Sequence, residues 1–408
     1  MSESTELARS LRRAQRRQRA SALLLALPLV IFLVVVLVVP IGALLLRAVE
    51  NPEVADALPR TGVAVADWDR RSPPPVAAFA ALAADLAAMP ETASAGALAR
   101  RLNSEAPGSR SLIMATYRAR DDFKGLDAAA TKSRLIEIDD RWGELRFWQA
   151  IAKNSTRWTP DYLLAAVDLK RTPEGDVEQV APDQRVYRRI LLRTFEISLV
   201  ITLWCLALGY PLAWWLASLP ARKANILLIL VLVPFWTSIL VRMAAWIVLL
   251  QREGLINKAL LSVGAIAEPL TLLFNRTGVV ISMVHIMLPF MILPLYSVMK
   301  AVPPSYLRAA ISLGSTPLAA FFRVYVPQTY PGIGAGALLV FILSLGYYIT
   351  PALLGGADDQ MISYYIARYT NVNINWGMAS ALGAILLAAT LLLYTAYRRF
   401  TGRELSLG

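Results

Sequence analysis

The chain has 408 residues, 56% of them hydrophobic, with a mean hydropathy of +0.50. Its net charge is +12, yet the block from Asn51 to Ile190 carries as many acidic as basic residues, so the excess flanks apolar runs instead of forming a nucleic-acid-binding face. One cysteine and one histidine exclude an internal disulfide framework and a Cys/His metal cluster, and no GxxxxGK[ST] phosphate loop, HExxH or nucleophile elbow is present. No catalytic residue, metal ligand or cofactor is expected in this chain.

Six windows approach the roughly 20 apolar residues that cross a bilayer. They lie near Ala22–Leu46, Thr194–Leu219, Ile226–Leu250, Gly278–Met299, Ile333–Thr350 and Gly377–Tyr397. The expected fold is an all-α integral membrane protein. Arg9, Arg12, Arg13, Arg16, Arg17 and Arg19 precede the first span, Arg222 and Lys223 separate the second from the third, Lys300, Arg308 and Arg323 separate the fourth from the fifth, and Arg398, Arg399 and Arg403 follow the last. With six spans these fall on one face, which the positive-inside rule makes cytoplasmic, together with both termini. Residues 1–21 read as a basic cytoplasmic lead, 22–46 as an uncleaved anchor, and 398–408 as a cytoplasmic tail.

The block 47–193 is far longer than a loop and holds Trp68, Trp142, Trp148 and Trp158, enough chain to bury a core. Apolar spacing predicts helices over Val76–Met89 and Ala128–Lys153, hence a mostly helical extracytoplasmic insert. It acts either as a docking surface or cap, or as a packing insertion. The lone thiol, Cys205, reads as inert core, and His285 as a hydrogen-bonded packing residue.

Polar and aromatic groups inside spans tend to face a bundle interior, because hydrocarbon does not solvate them. Phe235, Ser238, Arg242 and Trp246 are spaced to share one face of a continuous third span. Ser344, Tyr347 and Tyr348 fall within one turn of the fifth, beside Gly346, and Trp236 adds a further ring. These eight residues are candidates for the wall of a solute passage, with interfacial anchoring as the alternative; Arg242 has Glu196 as an alternative structural partner.

Between the fourth and fifth spans, within residues 300–332, the stretch Tyr306–Pro327 predicts a helix, a turn and a second helix. Ser305–Leu313 contains no breaker, Gly314 suits a left-handed closing residue, Ser315 and Thr316 offer caps, Pro317 opens the second helix and Pro327 stops it. Arg308-Ala309-Ala310, three residues, Gly314, nine residues, then Val324-Tyr325-Val326-Pro327 follow a spacing that resembles the cytoplasmic coupling motif of ABC importer permeases. Arg308 stands where the general motif has Glu, which reverses a charge. The strings VPFWTSILVRMAAWIVLLQREGLIN, NRTGVVISMVHIMLPFMILPLYSVMK and ALLVFILSLGYYITPALLGG resemble the spermidine/putrescine branch, over roughly 194–397.

That resemblance implies a type I importer bundle of six helices in the bacterial inner membrane, with 194–397 as a five-helix permease core. It also implies a second homologous permease subunit, two cytoplasmic ATPase subunits that hold ATP and Mg, and an extracytoplasmic solute-binding protein. Arg308, Ala309, Ala310, Gly314 and Pro327 become the expected ATPase-coupling residues. A polyamine is the expected solute, an opine or amino-acid derivative the alternative. A secondary transporter and a membrane receptor are the rival classes: the first needs no ATPase dock, and the second needs an output module for which residues 398–408 leave no room.

Overall fold

The computed structural model describes residues 24–89, 91–172 and 176–404. The chain forms two compact units, meeting in sequence at Tyr162 and Leu163, each with its own apolar core. The basic lead 1–21 and the final tail residues 405–408 lie outside the described residues.

The first unit opens with α1 (Leu24–Leu46), long and apolar enough to cross a membrane, with none of its most apolar stretch buried. A π-helical stretch at Val34–Val38 lies just ahead of Pro40, whose missing N–H interrupts the helical ladder. The chain then enters and leaves the insert side by side. Asn51 N–H donates to the Arg157 carbonyl at 2.8 Å, and Thr159 N–H to the Val49 carbonyl at 2.8 Å.

Between these ends pack α2 (Val76–Ala88), α3 (Thr92–Glu105), α4 (Ser109–Arg118), α5 (Ala128–Ile138) and α6 (Leu145–Asn154). In α2 the buried positions Phe79, Leu82, Ala83 and Leu86 make one helical face. The single helix predicted over Ala128–Lys153 is instead two. Asp139 accepts the Arg141 N–H and opens a 3-10 turn at Asp140–Gly143, a local side-chain bond that competes with continued helix. The break carries Trp142 inward, where Trp142 and Trp148 are fully buried beside Phe79. A buried polar knot ties the chain ends to α3: Arg101 donates to the Asn51 side-chain oxygen at 3.1 Å and to that of Asn154 at 2.6 Å.

The second unit begins with an antiparallel hairpin, β1 (Leu169–Arg171) and β2 (Val177–Gln179), so the 47–193 block is not helical throughout. Those strands are short and largely charged, with no alternation to announce them. Next comes α7 (Tyr187–Ser218), which starts well before the predicted Thr194. Its start is set by the buried Asp168 carboxylate, which accepts the backbone N–H groups of Val186 and Tyr187 at 3.0 Å and Arg188 at 2.8 Å.

The predicted third span is broken. After α8 (Ala221–Leu232), Pro234 lies in a 3-10 turn at Val233–Trp236, and Ser238 sits at the N-cap of α9 (Ile239–Leu250), which α10 (Leu255–Ser262) follows; the two halves are bent by 94°. Then come α11 (Arg276–Ala301), α12 (Pro304–Ser312) and α13 (Pro317–Ala320). Pro327 does not stop the second helix of this stretch. Helical backbone continues through a π turn at Phe321–Tyr325 and Val326–Gln328, because proline is compatible with an opening helical turn. A 61° bend leads into α14 (Tyr330–Gly346), followed by α15 (Ile349–Leu354), α16 (Ile362–Asn371) and α17 (Trp376–Glu404), which absorbs the start of the predicted tail.

By length and composition four helices can cross a membrane, or six spans if each bent pair crosses once. The core of this unit is built by α7, α11 and α14 closing on Met291. A Cβ at Gly336 would meet Met291 Sδ at 2.8 Å, and one at Gly209 would meet Met291 Cγ at 3.1 Å, so both glycines permit the approach.

Candidate functional site: an exposed apolar loop and buried polar groups in the bundle

The loop between α11 and α14 is a helix closed by a left-handed glycine. Gly314 has φ of +95°; its N–H donates to Ile311 C=O at 3.0 Å, and Ser315 N–H reaches back to Ala310 C=O at 3.1 Å. These two bonds satisfy the carbonyls left open at the helix end. Thr316 caps the next helix through Ala319 N–H, as expected, with Pro317 in its first turn. What the loop displays is unusual for a surface: Leu313 is 88% exposed and Leu318 73%, with Tyr306 and Ile311 also exposed. Arg308 and Ala309 are exposed with them, Ala310 is half-buried, and Arg308 has no acid partner among the described residues.

Behind this loop lies an aromatic knot not anticipated from the sequence. The Phe321 ring meets Trp214 at 5.6 Å and Tyr210 at 6.5 Å edge-on, and stacks on Tyr325 at 5.5 Å. The Tyr210 and Thr329 hydroxyls are 3.1 Å apart. Residues 321–329 are therefore fastened to α7 near Pro211, its one internal proline. The pairs Tyr210/Trp214 and Phe321/Tyr325 each have helical four-residue spacing, the signal that was legible.

The passage candidates do not form the single face predicted. The 94° break separates Phe235 and Trp236 from Arg242 and Trp246: Phe235 packs edge-on against Phe290 at 4.9 Å, and Trp236 is 76% exposed. On the fifth span, α14 ends at Gly346, so Tyr347 and Tyr348 lie in the connection to α15, and Tyr348 is partly exposed. What does come together is Trp246 and His285: their rings meet edge-on at 5.5 Å, and Trp246 Nε1–H points at His285 Nδ1 over 3.4 Å. Met243 joins α9 to α15 through the Thr350 hydroxyl at 3.2 Å.

Arg242 Nε, Ser344 Oγ and the Tyr347 hydroxyl are buried without a hydrogen-bond partner among the described residues. Orphaned polar atoms in a bundle core are costly and mark places where water or a polar solute completes the bonding. Glu196 does not pair with Arg242; its carboxylate meets Arg276 at 2.8 Å. Cys205 is buried, its thiol directed at the Val284 carbonyl. Among the described residues no group of three His, Cys, Asp or Glu side chains is placed to hold a metal ion.

Helices able to cross a membrane several times, with an exposed apolar loop at one end of the bundle and orphaned polar groups inside it, are the features of a multi-pass membrane protein. Residues 209–404 match the family described as binding-protein-dependent transport system inner membrane component. The spermidine/putrescine transport system permease protein PotB of Escherichia coli (strain K12) is 37% identical over 226 residues, which cover 54% of this chain and 82% of that protein. The Haemophilus influenzae protein of the same name is 36% identical over 215 residues, covering 52% of this chain and 75% of that one. A solved bacterial alginate ABC transporter in complex with an alginate pentasaccharide-bound periplasmic protein shares 18% identity at a TM-score of 0.44, over 53% of this chain and 78% of that chain. The chain belongs to the binding-protein-dependent inner membrane component family: it is an ABC importer permease of the spermidine/putrescine type, a transporter subunit of the inner membrane.

Proposed function

We infer that this chain is the conduit of an importer for a small polar solute, a polyamine first, and that it docks a separate ATPase through residues 306–327. The observation that carries the docking is the apolar tip around Gly314, which presents Leu313 and Leu318 unburied beside Ala309. A surface of that kind belongs against a partner's groove, and a helix carrying two alanines seats closely there. The assembly then contains a second homologous permease subunit, two ATPase subunits holding ATP and Mg, and an extracytoplasmic solute-binding protein. Six spans, both termini in the cytoplasm and the insert outside complete the reading, which the flanking arginines and the relatives' names support. Movement of the docked helices passes through the Phe321 knot into α7, and rigid-body rocking of packed helices alternates access to the passage.

A second reading of the solute rests on Arg242, whose buried Nε has no partner and suits a carboxylate-bearing solute such as an opine or amino-acid derivative. Uptake by proteoliposomes carrying the whole importer separates the two. Spermidine uptake that Arg242→Ala leaves intact or improves is the result expected for a polyamine. Uptake of an amino-acid derivative that spermidine does not compete with, and that Arg242→Ala lowers about tenfold or more, would contradict it and assign the solute's carboxylate to Arg242.

A further inference from the structure

Where α7 emerges from its apolar run, a cavity of about 560 Å³ is lined by five guanidinium groups against three carboxylates. The carboxylates are already engaged. Asp168 is spent on the backbone N–H groups that open α7, and Glu196 is held by Arg276, which also reaches Asp359 at 3.4 Å. Asp358, fully exposed, meets Arg193 at 3.5 Å. Arg185 donates to the Val180 carbonyl, whereas Arg188 and Arg189 are exposed and meet no carboxylate among the described residues. Both sit in the first turn of a 32-residue helix, where the helix dipole disfavours positive charge. Five guanidinium groups against three carboxylates leave the mouth two positive charges in excess, although the Asp168 carboxylate already stands at the helix N-terminus.

The helix below them says what kind of anion. Leu192, which lines the cavity, is 71% exposed, and Leu199 and Leu203 continue on the same helical face at 51% and 54%. Arg188 is one turn from Leu192 on that face. A basic mouth thus stands over a strip of exposed leucine, interrupted between Leu192 and Leu199 by Glu196, whose charge Arg276 meets at 2.8 Å, where the apolar run of α7 begins.

We propose that this cavity is a binding site for the phosphate of an anionic phospholipid, held by the Arg188 and Arg189 forks, with an acyl chain lying along Leu192, Leu199 and Leu203. Guanidinium forks match phosphate oxygens two at a time, and the leucine strip supplies the apolar half that a free anion does not need.

The test uses the full importer in nanodiscs of phosphatidylcholine with phosphatidylglycerol, extracted gently and analysed by native mass spectrometry for retained lipid. Wild type is expected to retain phosphatidylglycerol over phosphatidylcholine, Arg188→Gln/Arg189→Gln to lose about tenfold of that retention, and Arg188→Lys/Arg189→Lys to keep part of it. Both side chains are exposed, so an unchanged melting temperature is expected; a shift there is controlled by the lysine variant, which carries the same charge. Equal phosphatidylglycerol retention in all three proteins overturns the site. Displacement of the lipid by inorganic phosphate at similar concentration overturns the lipid as its source. Unchanged lipid retention with weakened capture of the solute-binding protein assigns the basic mouth to an acidic protein surface and overturns it as well.

Discussion

Gly314→Val is expected to abolish most solute-stimulated ATP hydrolysis in the reconstituted importer while the complex still assembles. At φ of +95° a side chain with a branched Cβ is strained, at a cost of about 1–3 kcal/mol. Nothing lies within 4 Å of where the new Cβ would stand, so the strain sits in the backbone alone. The turn relieves it by moving φ towards negative values, which breaks the bonds to Ile311 and Ala310 and turns α12 relative to α13. Because the loop is exposed, the bundle core does not register the change; the docking geometry does. A loss of tenfold or more corresponds to about 1.4 kcal/mol of misplaced contact, within the strain available. Gly314→Asn, which tolerates left-handed backbone better, is expected to recover part of the coupling. Wild-type coupling in the valine variant would show that the angle between these helices is not what the ATPase reads.

Trp148→Ala is expected to carry the largest stability loss in the chain, about 3–5 kcal/mol, confined to the insert. Trp148 is fully buried, its ring 4.5 Å from Phe79 and 5.4 Å from Trp142, and its Nε1–H donates to the Trp142 carbonyl at 2.9 Å. Truncation leaves a cavity the size of an indole and an unsatisfied buried carbonyl together. Limited proteolysis of the full chain in detergent reads the outcome. New cleavage within residues 76–154, with residues 187–404 as resistant as before, is the expected result. Unchanged protection of the insert would mean that this core does not hold it together.

The loop at residues 306–327 was legible because its determinants are local. Gly314, Thr316 and Pro317 each fix their own backbone, so reading them in order recovers the helix, the turn and the second cap. Pro327 misled for the same reason: proline ends a helix it interrupts but accommodates one it opens, and only the π turn at Phe321–Tyr325 decides which applies. The break after Trp236 was hidden because hydropathy does not change across it. Pro234, Thr237 and Ser238 are its only marks, and all are tolerated inside membrane helices. The partners of Glu196 and Trp246 lie 80 and 39 positions away, distances at which a single sequence carries no pairing signal. Within the bundle, spacing singled out Arg242, Ser344 and Tyr347 as polar groups, whereas their lack of partners is a property of the packed structure alone.

Solute accumulation in proteoliposomes, with hydrolysis in the ATPase subunits switched on or blocked, tests the central claim most directly. Uptake against a gradient that requires hydrolysable ATP and the loaded binding protein, and that stops with a non-hydrolysable analogue, is the result predicted for a conduit driven through residues 306–327. Uptake that continues on an ion gradient with the ATPase subunits absent would contradict it and make the chain a secondary transporter.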